Sequence, residues 1–207
     1  MADLVRGRYH TTNPIYALTG GASNVIQPNL TPRSNLEFQL GGTISDQAAA
    51  LTTAVMTVVP VPVEVGDNFS KVTVLVGGTA ASTPVNQWVA LYSGTANISS
   101  AVLLAQSSDT TSSPIAAGAA YTFSLSSVVS ADGNQPNGYL YCAVMVKATT
   151  VPSLIVQQVP VVADYHWFTN SPNSFAWTSG SSLTGGAPTT LNAVLASQQY
   201  APIVFLT

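Results

Sequence analysis

The run over residues 139–148, Tyr-Leu-Tyr-Cys-Ala-Val-Met-Val-Lys-Ala, constrains the fold more than any other feature of this chain. Successive side chains of a strand point to opposite faces. A strand with one solvated face alternates apolar and polar residues. This run is apolar at both parities, so it predicts a central strand that is covered on both sides. A dense turn cluster at residues 132–138 sets its start.

The rest of the chain reads as shorter strands of the same kind. Residues 69–76 place Val72, Val74 and Val76 on one face. Residues 85–92, 101–106, 119–125, 153–159 and 203–206 follow as β runs separated by turn signals. Leu36-Glu37-Phe38-Gln39-Leu40 alternates and predicts a strand that Gly41 and Gly42 end. Residues 53–65 are rich in β-branched side chains, but Pro60 and Pro62 demote part of that run to an edge or irregular strand. Residues 45–51 predict one or two helical turns, with Ser45 or Asp46 as the N-cap. No other segment makes a long helix. Eight or nine short strands predict an all-β fold, a β-sandwich of jelly-roll type. Heptads, collagen triplets and short internal repeats are missing, which excludes a fibre shaft.

At 207 residues the chain is long enough for one domain with a sizeable core. Residues 1–35 contain Pro14, Gly20, Gly21, Pro28 and Pro32 and keep no steady period. They read as an extended N-terminal arm before a sandwich at 36–207. Three of the five cations, Arg6, Arg8 and Arg33, fall in that arm. With Tyr9 and Tyr16 they are the candidate docking residues.

Charged residues are 6% of the chain, against roughly 25% in an average soluble domain. Ser, Thr, Asn and Gln supply the polarity instead. Such a surface does not repel copies of itself and suits dense packing or contact with neutral sugars. The net charge of −3 comes without a basic stripe, which argues against nucleic-acid binding. Residues 1–10 lack the apolar core of a secretory leader. Residues 54–65 are too short and too proline-rich to cross a membrane.

The residues that could carry chemistry are few. Asp67, Asp109 and Asp132 sit in turn contexts, where a carboxylate bonds nearby amides. Asp164-Tyr165-His166 would place Asp164 and His166 on one strand face, but no nucleophile elbow accompanies them. Cys142 lies within the apolar run and reads as a small buried hydrophobe. It would pair with His166 only through a tertiary contact. Two histidines and one cysteine cannot supply a standard zinc set. Asp109 and Asp132 are the only pair considered for calcium between loops. The expectation is no catalytic centre, no cofactor and no metal. The aromatic group Tyr165, Trp167, Phe168, Phe175 and Trp177 has two readings. It packs in the core or at a subunit interface, where such residues are enriched, or it stacks on glycan rings.

Five pieces stand in a characteristic order. They are Trp88-Val89-Ala90-Leu91-Tyr92, then Leu104-Ala105-Gln106-Ser107 with Asp109, then Tyr121-Thr122-Phe123. Gly138-Tyr139-Leu140-Tyr141 and Ala148-Thr149-Thr150-Val151-Pro152-Ser153-Leu154 complete the series. In this order they resemble a β-sandwich domain of virion proteins from phages that infect actinobacteria. The likeness covers somewhat under half of the chain. It implies a position on the exterior of a phage particle and supplies no catalytic residues. Tail-fibre versions end a longer chain, whereas here the domain follows a short arm. The resemblance therefore implies a capsid decoration or minor capsid protein, docked on the major capsid protein or neighbouring subunits. A homo-oligomer, with a trimer as one form, fits that role. The alternative is a minor tail or receptor-binding protein whose Tyr165, Trp167, Phe175 and Trp177 contact host-surface glycan.

Overall fold

A computed structural model describes residues 33–38, 43–95, 97–111, 113–132, 138–158, 176–191 and 196–207. These residues are nearly all β. The strands are β1 (Arg33–Ser34), β2 (Ile44–Gln47), β3 (Met56–Pro62), β4 (Asn68–Leu75), β5 (Ser82–Tyr92), β6 (Leu103–Gln106) and β7 (Ala120–Ser130). They continue with β8 (Tyr139–Thr150), β9 (Leu154–Gln158), β10 (Trp177–Ser179), β11 (Ala196–Ser197), β12 (Tyr200–Pro202) and β13 (Val204–Leu206). Three antiparallel sheets result, in the orders β1-β13-β4-β7, β11-β10-β3-β8-β5-β6 and β12-β9-β2. Isolated bridges tie the sheets together at Ser107↔Leu125 and Val76↔Leu154.

β8 is central, as its composition requires. It lies between β3 and β5 and is buried from Tyr139 through Val146. Register and alternation sort its neighbours into two faces. Val59, Val61, Val89, Leu91, Cys142 and Val144 share one face. Met56, Trp88, Tyr92, Tyr141 and Met145 share the other, around the small row of Val58, Ala143 and Ala90. Each large apolar side chain buried here contributes about 1.5–3 kcal/mol. Across the core, Phe69, Val72, Val74 and Phe123 of the four-stranded sheet are fully buried. The valines at 72, 74 and 76 point inward together, as the period of two requires.

The prolines of β3 have a physical explanation. Within β3, β10 pairs with Met56, Thr57 and Val58, so among the described residues Pro60 and Pro62 have a sheet neighbour on one side alone. Val63 donates its N–H to Gly138 O at 2.9 Å. The odd-numbered amides of β3 therefore face β8, and the prolines remove no ladder bond.

Two expected elements differ from the structure. Asn35–Phe38 is a 3-10 turn and not the start of a strand. The chain has to turn there, because β1 pairs with β13 whereas β2 belongs to the three-stranded sheet. Residues 45–51 do not form an α-helix. Ser45, Asp46 and Gln47 lie in β2, in register with Val156, Ile155 and Leu154, and Ala48–Ala50 is a short 3-10 turn. Pairing with β9 outweighs a weak local helix preference. Arg33, Ser34 and Asn35, assigned to the arm from sequence, are integral to the sandwich.

Candidate interaction surfaces

Two surfaces follow from the sequence: the root of the arm and the aromatic group. At the root, Arg33 Nε donates to Asp67 Oδ2 at 2.7 Å, and its Nη2 lies 3.1 Å from Glu64 Oε2. Asp67 Oδ2 also accepts the Glu64 N–H at 2.9 Å, so the carboxylate organises the β3–β4 turn. Burial by itself lowers the Arg33 pKa. The bond to Asp67, its charge and that of Glu64 more than offset this, so the pKa is raised. The guanidinium is thus engaged by its own domain. Arg6, Arg8, Tyr9 and Tyr16 lie outside the described residues.

Asn35 holds the next position. Its Nδ2 donates to Pro202 O at 2.8 Å and its Oδ1 accepts the Val204 N–H at 3.0 Å. There the chain passes from β12 in one sheet to β13 in another, with Ile203 N bonded to Ile155 O at 3.0 Å. The carboxamide satisfies backbone groups that the corner would otherwise leave unpaired.

Of the aromatic group, only Trp177 is described; Tyr165, Trp167, Phe168 and Phe175 lie outside. Trp177 is fully buried. It sits in β10 opposite Val58, and its ring meets Tyr141 edge-on at 6.1 Å between centroids. It is a core residue and is not presented to a glycan, which corrects the surface reading for this position. Residues 183–191 form a strap on the same side. Trp88 Nε1 donates to Thr184 O at 2.6 Å, and Tyr92 Oη donates to Pro188 O at 3.0 Å. Gln106 Oε1 accepts the Ala187 N–H at 2.7 Å. Burial raises the pKa of the Tyr92 hydroxyl.

Several polar residues between Trp88 and Ser153 fasten neighbouring segments. Trp88, Tyr92 and Gln106 hold the strap. Ser107 Oγ accepts the Val89 N–H at 3.1 Å, and Asp109 Oδ1 accepts the Gln87 N–H at 3.0 Å. Tyr121 Oη donates to Ser113 O at 2.6 Å. Tyr139 and Tyr141 both donate to Thr95 O, at 3.1 and 3.0 Å. Ser153 Oγ accepts the Thr79 N–H at 3.0 Å. A residue that the sequence did not single out joins them. Gln87 is fully buried, and its Nε2 donates to the carbonyls of Thr110 and Ser113, each at 2.7 Å. It stands in the middle of β5, where the exposed half of the strand gives way to the buried half.

The carboxylates are engaged by backbone amides. Asp46 Oδ2 accepts the Gly78 N–H at 2.6 Å. That bond, and then one from Ser153, hold its pKa below the ordinary value. A side chain at Gly77 would collide with the same carboxylate, which explains the glycine. Asp109 and Asp132 do not come together. Asp109 is bonded to Gln87, beside the Val146 end of β8. Asp132 follows Ala131, whose N–H bonds Asp67 O near the opposite end, where Val63 meets Gly138. The intervening length of β8 spans about 25 Å. Among the described residues no three His, Cys, Asp or Glu side chains are grouped to hold a metal ion. Cys142 is fully buried, with its thiol pushed up to about 12 by burial. Asp164 and His166 lie outside the described residues. No protein-family model and no curated protein matches this chain.

Proposed function

We propose that this chain is a non-enzymatic structural protein on the exterior of a bacteriophage particle, a capsid decoration or minor capsid protein docked through its N-terminal arm. The observation that carries the reading is the ordered run from Trp88 to Leu154 and its use. Its polar residues fasten strap and loops to one sandwich of jelly-roll type, so it is spent on building a rigid module. Engagement of Asp46, Asp67 and Asp109 by backbone amides, and the sealed thiol of Cys142, support a role without turnover. Arg6, Arg8, Tyr9 and Tyr16 remain the docking candidates, with the major capsid protein or neighbouring copies as partners. The charge-poor composition supports close packing of copies.

The test is deletion of residues 1–32, which spares Arg33 and Asn35. The shortened chain is expected to keep its β circular dichroism and to lose binding to purified particles. Unchanged binding overturns arm docking. The second reading, a minor tail or receptor-binding protein, now rests on Tyr165, Trp167 and Phe175, because Trp177 is buried. A glycan screen with a Trp167→Ala control, alongside a count of copies per particle, separates the two. Sugar binding lost in the variant, at a few copies per particle, favours the tail.

A further inference from the structure

The root of the arm is joined to the last strand by very little ladder. β1 contributes two paired residues, Arg33↔Leu206 and Ser34↔Phe205. Side chains add to it: Arg33 on Asp67 and Glu64, and Asn35 on Pro202 and Val204. On the other side of β13, Thr207 and Lys71 exchange N–H···O bonds at 3.1 and 2.8 Å. The odd-numbered amides of β13 therefore face β4, and the even-numbered ones face the root. Val204 accordingly donates to Asn35 Oδ1. Without the root, Val204 and Leu206 would present buried, unpaired amides at a new sheet edge. Their side chains are fully buried, so β13 cannot turn that edge to water without leaving the core.

We infer that Arg33, Ser34 and Asn35 form a latch, and that this latch, β12 and β13 open and close as one unit. A partner that holds the residues before Arg33 then also holds the last strand. This coupling to a partner rests on reading residues 1–32 as a docking segment; the latch itself does not. The corner at Ile203 is the reason the unit is indivisible. Asn35 bonds both flanks of that corner with one carboxamide, so freeing Val204 also frees Pro202 O. β12 and β13 then keep their short ladders to β9 and β4, each three residues long, with the bonds of Ile203 to Ile155 and of Thr207 to Lys71.

Residue-resolved hydrogen exchange on the full chain tests this, comparing the natural sequence with Asn35→Ala. Exchange is expected to accelerate about tenfold or more at Ile203, Val204, Phe205 and Leu206 together, since a buried amide has lost its acceptor. Leu91 and Val144, in β5 and β8, should stay within about twofold under the same sub-global opening. Acceleration at Val204 alone, no change, or an equal rise throughout β8 each overturns the latch. If Asn35→Ala does not fold, Asn35→Asp keeps the acceptor for Val204 and loses the donor to Pro202 O. It should give a smaller acceleration at the same four amides, and no acceleration there overturns the latch. Exchange on particle-bound protein then tests the coupling, with slower rates expected at these amides. Failure to bind removes the docking reading and leaves the latch; binding with unaltered exchange removes the coupling.

Discussion

β8 and the corner around Asn35 are both buried, yet they are specified in different ways. β8 is held by many apolar contacts on two faces. The corner is held by a few polar atoms: Arg33 with Asp67 and Glu64, and Asn35 with Pro202 and Val204. Redundant contacts spread the cost of a substitution over neighbours that relax. A single polar key does not, because its loss leaves a desolvated partner unpaired.

The largest effect is expected in the apolar region, from Trp88→Ala. It removes a fully buried ring together with the Thr184 bond and should cost about 3–5 kcal/mol in chemical denaturation. A much smaller cost would show that neighbouring side chains close the space the ring leaves. Arg33→Ala leaves the Asp67 carboxylate buried without its cation and should cost about 3 kcal/mol. Replacing both partners with apolar residues of similar size should cost less than Arg33→Ala alone, as a paired key predicts. Tyr92→Phe deletes the hydroxyl that bonds Pro188 O and approaches Met56 Sδ, and should cost about 1 kcal/mol, readable as a shift in the denaturation midpoint. Asp46→Asn should have the smallest effect. The folded-state pKa of Asp46 is depressed, so its contribution is present above the ordinary carboxylate value of 3.8 and fades as pH falls below it. Stability curves of the two proteins should therefore separate at neutral pH and converge in acid. A gap that widens on acidification would contradict that sign.

The same distinction explains what the sequence made legible. The central place of β8, the inward valines of β4 and the edge character of β3 at its prolines were all readable, because periodicity and proline chemistry are local signals. The turn at Asn35–Phe38 and the strand at Ile44–Gln47 were not. Five alternating residues do not outvote a corner fixed by Pro202 and Val204, more than 160 residues away in sequence. The apparent cap residue Asp46 is spent on Gly78, 32 residues away, so a local helix reading had no access to it. For Trp177 the sequence left the core and glycan readings both open, for a related reason. β10 is only three residues long, too short to show alternation, and its burial comes from β3 beside it. For the candidate sites, residue types were legible and their commitments were not. Arg33 reads as an exposed cation until its tertiary partner is known.

The strap at residues 183–191 carries a consequence for how this sequence can vary. Trp88 and Tyr92 grip it by the carbonyls of Thr184 and Pro188, and the Leu103 N–H takes the carbonyl of Thr189. Every residue type offers a carbonyl, so these grips read the path of the strap and ignore its spelling. Leu183, Ala187 and Leu191 still pack against the core, so freedom to vary is confined to the strap's other positions, between grips that fix its length.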